Sequence, residues 1–265
     1  MSREINVARN DGLLAQLMAP ERPLLLFKTV VIVAHPGDET LACGALLPRF
    51  PDICIVHVTD GAPHTVTAAR EHGVHHWADY ALVRRKELER AAAVGGLRAP
   101  VLKTLGLPER SAALRLAILT RALLGFIAGA ELVLTHAFEG ADPDHDAIAF
   151  AVAAARSRMR GRGPVVVDMP LYRRQDNGDG AVRLRLTHDE RVRKARMLAE
   201  FASQQEMLMA FGVRDECYRI APEQDFTHPP DEVRYDSVER GITGGQFAQL
   251  ARAARGELGL DSVPA

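Results

Sequence analysis

The feature that most constrains the fold is a series of short apolar runs, rich in β-branched residues, separated by helix-length stretches. Val30 to Val33, Ile53 to Val56, Val101 to Leu105, Leu132 to Leu134 and Val165 to Val167 mostly lack polar alternation. Strands covered on both faces look like this. Thr40 to Leu47, Ala81 to Val94, Ala112 to Ala128 and Ala147 to Met159 read as the helices between them. Such alternation predicts an α/β fold, a mostly parallel sheet with helices on both faces.

Beyond residue 170 the rhythm breaks. The turn-rich segment Arg173 to Gly180 lies between Val165–Met169 and Val182–Leu186 and reads as a hairpin tip. A long helix is expected next, opened by a capping box of Thr187 and Glu190, with Leu198, Phe201 and Leu208 on one face. A Pro-rich loop at Thr227 to Pro230 and a helical pattern from Gln246 to Leu258 form a C-terminal helical extension. With no internal repeat or linker in 265 residues, one domain is expected, its core about 29–220 and its extension about 221–265.

Composition narrows the partners. The 33 basic and 34 acidic side chains leave a net charge of -1, so no positive field favours nucleic acid or an anionic membrane. No apolar run of signal-peptide type opens the chain, and none reaches the length of a membrane span. The 3 cysteines are widely spaced, which suits a reducing cytoplasm rather than a disulfide framework. A small-molecule substrate is the expected partner; assembly as a homo-oligomer stays open.

In an open parallel sheet, ligands bind beyond the carboxyl ends of the strands. That rule selects the loops HPGDE (35–39), TDGAPH (59–64), GLPE (106–109) and HAFEGADPDHD (136–146). His35 and Asp38 stand three residues apart at the start of one helix, and His145 just before another. Two imidazoles and a carboxylate leave a tetrahedral metal one position for water, the arrangement of a catalytic zinc site. On spacing alone, a histidine at a strand end is more often a hydrogen-bonded loop residue. His136 ends its strand and is placed to line the pocket, whereas His57 inside a strand reads as core. His72, His75 and His76 beside Trp77 read as an exposed loop or mobile lid before a second metal site.

The stretch AHPGDETLACGALL (34–47) resembles the AHPDDE signature of the PIG-L type (LmbE-like) zinc-dependent de-N-acetylases. The second half of that signature, EGxHPDHDA, is matched by EGADPDHDA at 139–147. Weaker matches follow in order: Arg84-x-x-Glu87-Leu88, Leu107-Pro108-Glu109, Lys194 with Ser203-Gln204, and Glu216-x-Tyr218-Arg219. The resemblance spans about residues 29–220 and implies a Rossmann-like domain that removes an N-acetyl group from an amino sugar or related glycoconjugate. It also implies zinc (Zn2+) held by His35, Asp38 and His145, with Arg84 and Glu109 where the family holds substrate. Without the resemblance, Arg84 reads as a helix-surface ion pair with Glu87, and Glu109 as a helix cap.

Two departures fall on catalytic positions. The family's proton-accepting Asp is Gly37 here, and the His that supports its transition state is Asp142. One reading is a relocated base, Asp142 accepting the proton of the attacking water in place of the missing Asp. The other is a zinc-binding relative that has lost hydrolysis and binds a small ligand. Glu39 is expected to cap its helix start; of Asp144 and Asp146, one is expected to orient His145 from behind and the other to cap the following helix. Two rival classes lack their motifs: no Gly-rich phosphate loop follows the first strand, as a nucleotide-binding Rossmann protein needs, and no G-x-S-x-G marks a serine hydrolase.

Overall fold

The computed structural model describes residues 2–62, 64–65, 70, 73–159, 163–172, 180–230, 232–236 and 241–261. Helix α1 (Ser2–Met18) precedes β1 (Thr29–Val33), α2 (Asp38–Cys43), β2 (Ile53–Thr59), α3 (Trp77–Gly95), β3 (Val101–Leu107), α4 (Leu116–Ile127) and β4 (Leu132–His136). Then come α5 (Pro143–Ser157), β5 (Val165–Met169), β6 (Val182–Arg185), α6 (His188–Ala199), α7 (Gln205–Met209), β7 (Asp215–Ile220) and α8 (Gly244–Leu258). The strands form one sheet in the order β3-β2-β1-β4-β5-β7-β6. From β3 to β5 all pairs are parallel, while β7 runs antiparallel to both β5 and β6.

Burial on both faces accounts for the missing polar alternation. Val31, Val33, Ile53, Ile55, Leu132 and Leu134 join a core with α1, α2, α3 and α6. Their neighbours Val30, Ile32, Val56, Val58 and Val133 join a second core with α4, α5 and α8. The strand order reverses between β1 and β4, because the chain builds outward to β2 and β3 on one side and to β5 on the other. A crevice forms at such a reversal, where the loops after β1 and β4 splay to opposite faces.

Several expectations are corrected. Residues β5 and β6 do not form a hairpin, since β7 lies between them; Arg173 to Gln175 and Asp176 to Asp179 lie outside the described residues. The capping box of Thr187 and Glu190 is present, but the helix it opens stops at Ala199 and a 3-10 turn (Ala202–Gln204) precedes α7. Leu198, Phe201 and Leu208 therefore share a core without sharing a helix. The helix expected over Thr40 to Leu47 ends at Cys43, and that expected from Ala112 begins as a 3-10 turn before α4. Helix α5 starts four residues earlier than Ala147, because Asp142 caps it and Pro143 fills its first position. Among the described residues no helix is long and apolar enough to cross a membrane.

Candidate metal centre

The crevice between β1 and β4 is where the two signature loops meet. After β1 the chain turns through His35 and Pro36 to Gly37, whose φ of 111° is a left-handed conformation suited to glycine. Asp38 then opens α2, and its Oδ2 accepts the backbone N–H of His35 at 2.8 Å, folding the carboxylate back over the loop. From the other side, the early start of α5 puts His145 in the first helical turn, not ahead of the helix.

Asp38 Oδ2 lies 3.3 Å from His35 Nδ1 and 3.3 Å from His145 Nε2. Charge-assisted hydrogen bonds are shorter, about 2.7–2.9 Å. Ligands at ordinary zinc distances and tetrahedral angles stand about 3.3 Å apart. One donor atom from each of the three side chains lies within 4.8 Å of the others, so the residues fit a tetrahedral ion with one position to spare. Burial alone would push the Asp38 carboxyl up, but the facing His145, His136 and His35 hold it well below the usual carboxylate range. Burial opposes charge on His35 too, yet Asp144 and Asp38 raise it well above the ordinary imidazole value. A metal entering the site therefore displaces protons from its ligands.

The neighbouring carboxylates differ from expectation. Asp144 faces His35, with its Oδ2 3.2 Å from Nε2, and does not orient His145. It also accepts the N–H groups of Arg110 at 2.6 Å and Ala112 at 2.9 Å, tying the loop after β3 to the site. Arg110 takes a strained φ of 67° to make its bond. Asp146 accepts the N–H groups of Glu139 and Gly140 and the hydroxyl of Tyr235, so it braces the loop after β4. Burial raises its carboxyl to about 7, against the pull of those bonds. The helix cap is Asp142 itself, whose Oδ1 accepts Asp144 N–H at 2.9 Å. Its carboxylate also clusters with His35 and Asp144 within 4.8 Å. Nδ1 of His145 is buried without a hydrogen-bond partner among the described residues.

His136 lies beneath the centre. Its Nε2 accepts Ala34 N–H at 3.0 Å, so that lone pair is engaged, and its ring stacks on His145 at 3.7 Å. Burial, with the charge of His145, lowers its pKa to about 4. A neutral platform under a candidate metal ligand is the result. Arg84 is buried and donates to the carbonyl of Pro36 at 2.6 Å, which rules out the helix-surface ion pair. Glu87 instead accepts both the backbone N–H and the hydroxyl of Ser203. Glu109 is half-buried, near enough to His35 to raise its pKa, and the 3-10 turn after it is preceded by Ser111, not Glu109. Glu39 takes Gly37 N–H at 2.9 Å, as expected of a group at the helix start, and pairs with buried His57 at 2.9 Å. His76 caps α3 through Nδ1, His75 is exposed, and His72 lies outside the described residues.

Sequence reasoning missed two residues beside the site. Tyr172, just after β5, has its ring 5.8 Å from that of His145, and Arg234 lies over the Tyr172 ring at 5.8 Å. Neither belongs to a motif, so only folding brings them in.

A Rossmann-like α/β domain with a candidate metal centre at its strand-order reversal is the class that fold and site define. The chain carries the PIG-L family model, described as GlcNAc-PI de-N-acetylase, over residues 30–156. Among solved structures, a deacetylase of the teicoplanin biosynthesis pathway is 18% identical with a TM-score of 0.59, the match covering 72% of this chain and 96% of that one. The A40926 pseudoaglycone deacetylase is 21% identical with a TM-score of 0.58, covering 74% and 99%. The N,N'-diacetylchitobiose deacetylase of Pyrococcus horikoshii is 18% identical with a TM-score of 0.52, covering 84% and 93%. These likenesses establish a common fold. No curated protein matches the chain significantly.

Proposed function

We propose that the protein is a zinc-dependent hydrolase that removes an N-acyl group, acetyl foremost, from an amino sugar or related small molecule. The observation that carries this reading is the spacing of His35, Asp38 and His145: Asp38 Oδ2 lies 3.3 Å from a nitrogen of each imidazole, and the three donor atoms fall within 4.8 Å of one another. The family match and the deacetylases that share the fold support it. Zinc bound there supplies a Lewis acid for the amide carbonyl and lowers the pKa of water. Asp144 orients His35, His136 backs His145, and Arg84 holds the Pro36 carbonyl so that the first loop keeps its shape. Asp142 is the base: one oxygen caps α5 while the carboxylate faces His35, where it can take a proton from water and return it to the departing amine.

The cap supports the competing reading, a zinc-binding relative without hydrolysis, because it gives Asp142 a structural reason to exist. Asp142→Asn separates the two, since Asn caps helices as well as Asp but cannot act as a base. With zinc bound, this variant is expected to lose about 10²-fold to 10⁴-fold in amide hydrolysis while keeping its melting temperature. Unchanged activity would remove Asp142 from the mechanism; a wild type with zinc but no N-acyl hydrolysis on a panel of acylated amino sugars would favour the ligand-binding reading.

Restoring the family residue should not help. A Cβ on Gly37 would lie 3.7 Å from ring carbons of Phe201 and 3.9 Å from Leu208 Cδ2, so a side chain there starts toward an apolar wall. Gly37→Asp is expected to cost about 1–3 kcal/mol through its left-handed backbone and to leave activity no higher than wild type. Denaturant melts alongside the hydrolysis assay check both statements.

A further inference from the structure

We infer that the apolar cavity between α6, α7 and the start of β7 is a second ligand site, which takes a single-chain anionic amphiphile, a fatty carboxylate of medium length. The inference stands apart from the reading of the metal centre, because none of the residues lining the cavity belongs to that centre. The cavity holds about 560 Å³, inside the range of small-molecule pockets, about 300–1,000 Å³. Its room comes from small residues. Ala195 and Ala199 stand one turn apart on α6, and the chain leaves α7 through Gly212, where a Cβ would meet nothing within 4 Å. Leu198, Leu208, Phe211 and Val213 supply the walls, and each packs against the core, so the apolar lining is fixed from behind.

Charge selects the head group. Among the lining residues Arg214 is the one cation and Asp215 the one anion. Asp215 is engaged by Arg183, its Oδ2 3.1 Å from Nη1. The exposed guanidinium of Arg214 makes no hydrogen bond or ion pair among the described residues, while its backbone carbonyl is held by the N–H of Leu186 at 3.0 Å. An apolar cavity beside an unpaired guanidinium suits a hydrocarbon tail that ends in a carboxylate. The site adjoins the metal centre through two side chains. Leu208 forms one wall, and its Cδ2 would lie 3.9 Å from a Cβ on Gly37. Phe211 forms another and meets the Tyr172 ring edge-on at 5.5 Å, and that ring lies 5.8 Å from His145. An amphiphile seated in the cavity is therefore a neighbour of the centre and not the group bound at His35, Asp38 and His145.

The test is calorimetric titration of the full, zinc-loaded chain with hexanoate, octanoate and decanoate, all below their micellar concentrations. Two further ligands, 1-octanol and octylammonium, carry a tail of similar length on a neutral and a cationic head. Saturable binding is expected, about 4-fold tighter for each added methylene. Octanoate should bind roughly 10-fold to 100-fold more tightly than octylammonium. Arg214→Ala should abolish the preference for octanoate over 1-octanol while keeping the dependence on chain length. Ala199→Phe and, as a second variant, Ala195→Leu fill the cavity from exposed helix positions. Each should weaken octanoate about 10-fold or more at an unchanged melting temperature. Asp38→Asn, at the metal centre, should leave octanoate binding intact. No saturable binding, equal binding of the three head groups, or octanoate binding that survives both filling variants overturns the inference. Loss of octanoate binding in Asp38→Asn would overturn it too, by assigning the carboxylate to the metal.

Discussion

Asp38→Asn is expected to empty the metal centre: bound zinc, measured by elemental analysis, should fall from about one per chain to a trace. Activity should fall with it by about 10³-fold or more, since the metal supplies several kcal/mol of the barrier reduction. Asp38 is the choice because its Oδ2 is approached by His35 and His145 at 3.3 Å each and by His136, beneath them, at 3.4 Å. The amide can still accept the N–H of His35, so the loop should hold its shape and near-native melting should accompany the loss of metal. Full zinc occupancy in Asp38→Asn would place the ion elsewhere and undo the mechanism. His35→Ala and His145→Ala should reduce occupancy likewise, whereas His136→Phe should leave it largely intact, because the His136 lone pair belongs to Ala34 N–H.

The second large effect concerns stability. Lys194 and Glu216 form a fully buried ion pair at 2.7 Å, on helix α6 and strand β7. Lys194 also donates to the carbonyl of Leu41 at 2.8 Å, and Glu216 accepts Ala45 N–H and the Tyr218 hydroxyl. The pair therefore fastens the far end of α2, the helix that Asp38 opens. Burial, with Glu216 close by, raises the Cys43 thiol well above its ordinary value, a sign of how little water reaches this cluster. Lys194→Met strands a carboxylate there and should cost about 3–5 kcal/mol. Melting should fall on the order of 10 °C. The double variant Lys194→Met/Glu216→Gln should recover much of the loss, because no unpaired charge is left inside. If each single variant melts with wild type, the pair is not what holds α2.

Strands β1, β2, β4 and β5 were legible because burial on both faces writes itself into consecutive apolar residues; β3 is also a strand, but at the sheet edge its residues are exposed or half-buried and it is not covered on both faces as expected. Strand β7, with the sequence DECYRI, was not legible, because its Glu216 and Arg219 are paired across the fold and break the apolar run. That omission also produced the mistaken hairpin. The weaker motif matches were visible as residue types but not as partners: Glu87 meets Ser203, Lys194 meets Glu216, and Arg84 meets Pro36. Each contact joins segments far apart in the chain, and spacing carries no information about it. The same limit applies to Asp144, which lies beside His145 in sequence but orients His35 from the opposite loop.

By itself, the sequence determined the parallel sheet, which follows from apolar runs within strands, and offered His35, Asp38 and His145 as candidate ligands through their place at strand ends and a family resemblance; the fold brings the three within reach of one another. Only the tertiary structure decided that Gly37 faces an apolar wall, that Asp142 caps a helix while facing the centre, and that Tyr172 and Arg234 stand beside it. The physical reason is one of range. Periodicity and capping act within a few residues, whereas the direction of a side chain in a pocket is set by which distant elements pack against it.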